Sequence, residues 1–226
     1  MNDIILYQEN TIDKNSRLKK KSVDIVPVIA KKNYYDDADI KYFTMADIRT
    51  LIDGTADPFN KMLFLLLYET GARVNEIRNI KFIDIDPSML RVKVLTLKQR
   101  TNSLIFRYLK ISDKLMSLIL QHRLNIGLTN DDFILSKKTG NKPITKQGIT
   151  FLIKKYVLQL LGQSYMDKAH PHIFRHTRAI HLLDSGMNIM LLKNFLGHAN
   201  ISNTLIYLKY SNRDMAEAVD RANDYF

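Results

Sequence analysis

The chain has 226 residues, 46% of them hydrophobic, which is enough for one sizeable folded domain and too apolar for a disordered chain. Its 34 lysines and arginines outnumber its 23 acidic residues, so the formal net charge of +11 predicts a polyanionic partner, with nucleic acid ahead of an anionic membrane surface. The absence of cysteine excludes disulfides and thiolate metal sites and is typical of a cytoplasmic protein, and no apolar run approaches the roughly 18 residues of a membrane span.

The first forty residues differ from the rest of the chain. They carry a basic run, with Arg17, Lys19, Lys20 and Lys21, followed by an apolar patch and a second basic pair. No helical period is sustained there. The simplest interpretation of residues 1–40 is a solvated arm or linker, and the functional one is a DNA-binding arm that lies along a phosphate backbone.

From residue 41 onward the pattern turns helical. Thr44 can cap a first helix that Gly54 ends. Pro58 can start a second, strongly apolar helix that Gly71 ends, which predicts a buried core helix. The segment "RVNEIRNI" follows as a short helix.

The middle of the chain predicts one small sheet. "LRVKVLTL" and "SLIFRYL" are rich in β-branched and aromatic residues, and the polar "KQRTN" lies between them, which indicates an antiparallel hairpin. "FILSKKTGNKP" predicts a further short strand and a turn. The other segments predict helices: "ISDKLMSLILQHRLNIG", "ITKQGITFLIKKYVLQLLG", "HIFRHTRAIHLLDSG", "NIMLLKNFLGHA", "ISNTLIYLKY" and "RDMAEAVDRAND". The predicted fold class is therefore mainly α with a small antiparallel β-sheet (α+β), over residues 41–226.

Several kinds of site are poorly supported. No cluster of Asp and Glu has the spacing to hold a pair of metal ions, and no Gly-rich phosphate loop is present. His172 and His176 are spaced i, i+4 on one helix and could bind zinc, but they lack the Glu of the zinc-protease signature and an obvious third ligand. We therefore predict no metal and no cofactor.

Four segments concentrate basic and nucleophilic side chains. Taken singly, each has a plain structural interpretation, because an Arg beside a Glu is usually a surface ion pair, a hairpin Lys is usually solvated, and a single His or Tyr usually packs in a core. The segments are "TGARVNEI" with Arg73 and Glu76, "LKQRTN" with Lys98, "HIFRHT" with His172 and Arg175, and "LGHANISNTLIY" with His198 and Tyr207.

Together these side chains suit attack on a phosphodiester. Two guanidinium groups can clamp the non-bridging oxygens bidentately, two imidazoles can donate hydrogen bonds or move a proton, and an ammonium can protonate the leaving oxygen. A phenol has an ordinary pKa of about 10, so it needs such a positive setting to attack as a phenolate. Covalent attachment would keep the energy of the broken bond, so resealing needs no cofactor.

These motifs, in this order, resemble the tyrosine recombinase (phage integrase) family. The resemblance implies a clamp of Arg73 and Arg175 with His198 as a further donor, and a 3′-phosphotyrosyl link on Tyr207. It also implies that His172 helps to move the proton of the nucleophile.

The same resemblance assigns the remaining roles. Glu76 falls where the family keeps a supporting acid, Lys98 would be the general acid for the 5′-hydroxyl, and His176 is expected to be structural. The hairpin of the family usually reads like "GKGNKxR", whereas this chain has "LKQRTN", so Arg100 competes with Lys98 as the general acid of that turn. Arg100 is also predicted to contact DNA.

The resemblance also carries expectations about assembly. Typical members have a helical core-binding domain ahead of the catalytic one, whereas only about forty residues precede residue 41 here, as in small single-domain members that invert fimbrial promoter segments. We expect double-stranded DNA as the partner and a homotetramer on synapsed sites. A second recombinase is a candidate source of the core-binding domain. The segment "RDMAEAVDRANDYF" is expected to dock on a neighbouring subunit or to pack on its own domain. The leading prediction is a site-specific DNA recombinase. The alternatives are a type IB topoisomerase-like enzyme and a DNA-binding accessory protein of the same fold.

Overall fold

The structure is a computed structural model that describes residues 40–96, 105–140 and 142–210. In those ranges the chain forms eight α-helices, three 3₁₀ segments and one three-stranded sheet, which confirms the predicted mainly helical fold with a small sheet. The predicted helix "RDMAEAVDRAND" lies outside the described residues. So do six of the predicted catalytic and DNA-binding residues, which are Arg17, Lys19, Lys20, Lys21, Lys98 and Arg100.

Among the described residues, the sheet lies between the third and the fourth α-helix in the order of the chain. The 3₁₀ segments are Phe82–Asp84, Gln163–Lys168 and Ile206–Tyr210. The α-helices are α1 (Met45–Asp53), α2 (Pro58–Thr70), α3 (Val74–Arg78), α4 (Asp113–Ile126), α5 (Lys146–Leu160), α6 (Pro171–Asp184), α7 (Ile189–Leu196) and α8 (Ser202–Leu205).

Local chemistry explains where the first helices begin and end. Thr44 Oγ1 accepts a hydrogen bond from the Asp47 N–H at 3.1 Å, and Asp47 Oδ2 accepts one from the Thr44 N–H at 2.9 Å, so α1 starts with a reciprocal capping box. Pro58 is the first residue of α2, where its missing N–H costs nothing. Gly71 ends α2 with φ +53°, in the left-handed region that favours glycine. These predicted boundaries are confirmed.

The sheet consists of β1 (Ile85–Asp86), β2 (Arg91–Leu95) and β3 (Phe106–Lys110), in that order and antiparallel. The predicted hairpin of β2 and β3 is confirmed, while the two-residue β1 was not predicted. The short strand predicted in "FILSKKTGNKP" is wrong, because Phe133 forms only an isolated bridge with Lys81 and no ladder continues it.

The helices α2 and α6 form the centre of the domain. They pack against each other, α2 also packs on α4, and α6 contacts α5, α7 and Ile206–Tyr210. A smaller apolar cluster lies between α6, α7 and that 3₁₀ segment, and its buried members are Ala179, Ile180, Leu183, Leu192, Leu196 and Tyr207. Each large side chain so buried contributes about 1.5–3 kcal/mol, so this cluster fixes the end of the described chain on α6.

No helix within the described ranges is long and apolar enough to cross a membrane.

Candidate active site

Arg73 precedes α3 and is held by the glutamate one turn further on. Its Nη1 donates to Glu76 Oε1 at 3.0 Å, and its backbone N–H donates to Glu76 Oε2 at 2.9 Å. Burial opposes ionisation of Glu76, whose residue is 1% exposed, but the Arg107 charge and the Arg73 N–H together keep its pKa below the usual 4.5. The predicted contact between this carboxylate and the Arg73 guanidinium is present.

Arg175 lies on α6, is buried, and contacts the ends of two other helices. Its Nη1 donates to the Gly71 carbonyl at 2.8 Å and its Nη2 to the Leu196 carbonyl at 2.7 Å. These are the C-terminal ends of α2 and α7, where the helix dipole is negative and stabilises a cation. Burial, followed by the charge of Arg73, lowers the pKa of Arg175 to about 10, so the guanidinium stays charged at neutral pH.

His198 follows the glycine that ends α7. Its Nδ1 lies 2.9 Å from Oγ1 of the fully buried Thr204. Burial, followed by the charges of Arg175 and Arg73, lowers the pKa of His198 to about 3, so the ring is neutral at physiological pH. Because Thr204 engages Nδ1, Nε2 is the ring atom that can reach a substrate oxygen.

Tyr207 is 2% exposed and lies in the 3₁₀ segment Ile206–Tyr210. Its hydroxyl oxygen is 3.0 Å from Nδ1 of His176, and the two ring centroids are 5.7 Å apart. Burial raises the pKa of Tyr207, while the charges of Arg175 and Arg73 oppose that shift. The phenol is therefore neutral in this arrangement, and its cationic surroundings favour the phenolate once it meets solvent or substrate.

The histidine that contacts the Tyr207 hydroxyl is His176, whereas the resemblance implied that His172 helps to move the proton of that hydroxyl. Burial, followed by the neighbouring His172, lowers the pKa of His176 to about 4. The exposed His172 lies one turn earlier on α6, with its ring centroid 6.5 Å from that of His176. His176 was expected to be structural. The i, i+4 spacing placed the two rings on one helix face, but it held no signal for which of them meets Tyr207.

A third arginine, Arg107 on β3, completes the buried charge cluster and was not predicted. Its Nη2 donates to Glu76 Oε2 at 2.9 Å. The inward face of "FRYLK" holds Arg107 and Leu109, so the period-2 alternation of the strand could have placed Arg107 in the interior.

The site thus gathers side chains from separate parts of the sequence. The charges of Arg73 and Arg175 both act on the pKa values of His198 and Tyr207, so these four side chains lie close together. No group of three or more His, Cys, Asp or Glu that could hold a metal ion occurs among the described residues. The set offers cations, a neutral imidazole and a phenol, which suit nucleophilic attack on a phosphate group.

A mainly helical domain with a small antiparallel sheet and this arginine, histidine and tyrosine site defines the class of the phage integrases. The model of the Phage integrase family matches residues 41–213, and the chain belongs to that family.

Curated relatives are tyrosine recombinases. XerC of Staphylococcus epidermidis is 33% identical over 156 residues, covering 69% of this chain and 51% of the relative. XerA of Pyrococcus horikoshii is 28% identical over 184 residues, covering 80% of this chain and 61% of the relative. The chain therefore spans about half to three fifths of the length of these relatives.

Solved structures share the fold. The XerA recombinase structure superimposes with a TM-score of 0.60 and 21% identity, covering 84% of this chain and 66% of the other. The catalytic domain of bacteriophage HP1 integrase has a TM-score of 0.56 and 23% identity, covering 80% of this chain and 95% of the other. The XerH recombinase in a post-cleavage complex with palindromic difH substrate has a TM-score of 0.64 and 20% identity, covering 80% of this chain and 52% of that one.

Proposed function

We propose that this chain cleaves and rejoins DNA strands through Tyr207, as the catalytic part of a site-specific recombinase. The observation that carries the proposal is the buried Arg175 guanidinium, which is bound to the ends of α2 and α7. It lies close enough to the neutral His198 and Tyr207 for its charge to act on both. A cation anchored by two backbone carbonyls cannot move when charge develops on a phosphate, so it acts as a preorganised clamp.

The chemistry follows from the side chains in balanced steps. The Tyr207 oxygen, once it has lost its proton, attacks phosphorus and forms a phosphotyrosyl bond, while the bond from phosphorus to the 5′-oxygen breaks. Arg73 and Arg175 bind the non-bridging oxygens, and Nε2 of His198 donates to the same group. The 5′-hydroxyl then attacks in the reverse direction, releases Tyr207 and reseals the strand, so no cofactor is consumed.

The leaving 5′-oxygen needs a proton. We propose that Lys98 donates this proton, with Arg100 as the competing residue in the same segment. In either case Arg100 is proposed to contact DNA. Thr96, the last described residue before that segment, is hydrogen-bonded to Ile105 through its N–H at 2.8 Å, so the base of the hairpin is closed.

The nucleophile must leave its present contact to react. The Tyr207 hydroxyl is buried against His176, whereas the predicted proton carrier His172 is on the surface. We propose that DNA binding exposes the phenol. His172 then receives the proton of the Tyr207 hydroxyl while Arg73 and Arg175 hold the phosphate group.

Double-stranded DNA is the proposed partner. The net charge of +11 favours a polyanion, and solved structures of the same fold include XerH bound to difH substrate and the Tn1549 transposon integrase in complex with transposon right end DNA. Recombination between two sites requires four protomers, so we propose a homotetramer on synapsed DNA, with a second recombinase as an alternative contributor. The arm with Arg17 and Lys19 is proposed to add phosphate contacts, and deleting residues 1–30 should then lower the salt dependence of DNA affinity.

A covalent-trapping experiment tests the proposal. Nicked duplexes tiled across the DNA adjacent to the gene would be incubated with the protein and examined on a denaturing gel. We expect a 3′-linked adduct that disappears in Tyr207→Phe. The matched control is Tyr68→Phe, because Tyr68 is another buried tyrosine whose hydroxyl lies 3.0 Å from a histidine Nδ1, that of His181.

The outcomes separate the proposed function from its alternatives. An adduct in the Tyr68→Phe control together with none in Tyr207→Phe supports the proposal. DNA binding without any adduct would instead favour an accessory protein of the same fold. Relaxation of supercoiled DNA at no particular site would favour a type IB topoisomerase-like enzyme.

A further inference from the structure

Arg107 contacts two parts of the site at once. It lies on the inward face of β3, is 8% exposed, and pairs in register with Val94 of β2. Its Nη1 donates to Thr96 Oγ1 at 2.6 Å and its Nη2 to Glu76 Oε2 at 2.9 Å. One guanidinium therefore joins the base of the hairpin to the glutamate that holds the first arginine of the clamp.

The glutamate is held from both sides. Oε1 of Glu76 accepts from the Arg73 guanidinium at 3.0 Å, and Oε2 accepts from Arg107 at 2.9 Å. The side chain of Glu76 has no exposed surface. Removing Arg107 would take a charged donor away from Oε2, which weakens the hold on the carboxylate and on the Arg73 guanidinium bound to it.

Arg107 also lies under the turn that presents His198. A Cβ added at Gly197 would overlap Nη1 of Arg107, and Gly197 has φ +66° as the cap of α7. The glycine is thus required for two reasons, its left-handed backbone and the close approach of the guanidinium. The position of the Gly197 backbone sets where the next residue, His198, points its ring.

A purely structural ion pair explains this arrangement less well. No described residue accepts a hydrogen bond from the buried Nε of Arg107, so the side chain is not fully satisfied by the fold. Arg107 adds a third positive charge beside Arg73 and Arg175 around the single carboxylate of Glu76. A role in stability alone does not need three cations around one carboxylate.

We propose that Arg107 is a positioning residue for strand cleavage, which orients Arg73 through Glu76 and fixes the Gly197 turn that carries His198. The proposal rests on the cleavage activity proposed above. A small misplacement of a clamp residue is enough to slow such a reaction about 100-fold, so the effect should fall on the chemical step rather than on DNA affinity.

Two sets of variants test it on the nicked duplex that gives most adduct with the unaltered protein. Arg107→Met keeps the length of the side chain and removes its charge and donors, and Arg107→Lys restores the charge. We expect Arg107→Met to lower the single-turnover rate of adduct formation about 100-fold with DNA affinity changed less than about threefold, and Arg107→Lys to recover part of the rate.

The second set uses two glycines in the same backbone conformation. Gly197→Ala places a methyl group on the Arg107 guanidinium, whereas Gly127→Ala, at a helix cap with φ +71°, meets nothing within 4 Å. Both carry similar backbone strain, and the overlap with the Arg107 guanidinium should lower the urea midpoint of Gly197→Ala further. Only Gly197→Ala should slow adduct formation, and its effect should shrink when it is combined with Arg107→Met.

Each outcome decides the matter. An adduct rate in Arg107→Met equal to that of the unaltered protein, or equal rates in Gly197→Ala and Gly127→Ala, overturns the positioning role while leaving the proposed function intact. Absence of any adduct from the unaltered protein overturns both. Should Arg107→Met fail to fold, the comparison of the two glycine variants still decides.

Discussion

Acidification should destabilise the fold in part through two half-buried, neutral histidines. The pKa values of His176 and His198 are lowered to about 4 and about 3, chiefly by burial, from 6.5 for an unfolded chain. A histidine whose folded pKa is depressed takes up its proton more readily when unfolded. Its contribution to stability is therefore fully present above pH 6.5 and is lost as the pH falls towards the folded pKa.

The magnitude follows from these shifts. At pH 5 an unfolded histidine of pKa 6.5 is almost fully protonated and the folded ones are almost fully neutral, so linkage gives roughly 2 kcal/mol for each ring. Both rings are only half-buried, and solvent screening reduces the effect to about 2 kcal/mol for the pair. Glu76, whose pKa lies below 4.5, stays ionised at pH 5 and adds little in this window.

Urea unfolding at pH 8, 7 and 5, at constant ionic strength, measures this effect. The free energy of unfolding should change little between pH 8 and 7 and fall by at least about 2 kcal/mol by pH 5, because burial lowers the pKa values of the other four histidines as well. In His176→Asn/His198→Asn, which removes these two titrating rings, the fall should be smaller by about 2 kcal/mol even if the variant is less stable at every pH. An equal fall in the unaltered protein and in the double variant would refute the reasoning.

Three substitutions test the site contacts separately. Arg175→Lys keeps a charge, but a single ammonium cannot reach both carbonyls. We therefore expect the free energy of unfolding in urea to fall by about 1.5–3 kcal/mol and the adduct rate to fall at least about 100-fold. Unchanged stability would contradict the anchoring of Arg175 by these carbonyls. Thr204→Val removes the hydroxyl that contacts His198 Nδ1 at nearly constant volume, so the free energy of unfolding should fall by about 1 kcal/mol. A fall of the same size in a His198→Asn background would show that Thr204 and His198 are not energetically coupled. Tyr207→Phe should cost about 1 kcal/mol, and Tyr68→Phe should cost a similar amount, because each hydroxyl has one histidine partner. A loss beyond about 3 kcal/mol would mean that the Tyr207 hydroxyl contributes more than one hydrogen bond.

The elements that local chemistry specifies were predictable from the sequence. Thr44 with Asp47 makes a capping box within one turn, Pro58 suits a first helical position, and Gly71 permits the left-handed end of α2. These features depend on residues within a few positions of one another. The helix boundaries therefore follow from the sequence without knowledge of the packing.

The contacts that were missed depend on packing between distant elements. His176 and Tyr207 are 31 positions apart, and they meet only because α6 packs against the 3₁₀ segment that follows α8. The contact of Arg107 with Glu76 also spans 31 positions and needs β3 to pass close to α3. The strand predicted at Phe133 was wrong because an apolar run shows burial, while a ladder needs a partner strand of matching length.

The 3₁₀ winding of the segment that carries Tyr207 has a mechanical consequence. Ile206–Tyr210 follows the α-helical Ser202–Leu205 without a break, so one short stretch changes pitch partway along. A 3₁₀ helix has about 3.0 residues per turn and a rise of about 2.0 Å, against about 3.6 residues and 1.5 Å for an α-helix. Rewinding this stretch by one residue would swing the phenol by roughly 20° and draw it about 0.5 Å along the axis, while α6 and α7 stay in place. A change in the winding of this segment would therefore move the Tyr207 hydroxyl without any movement of α6 or α7.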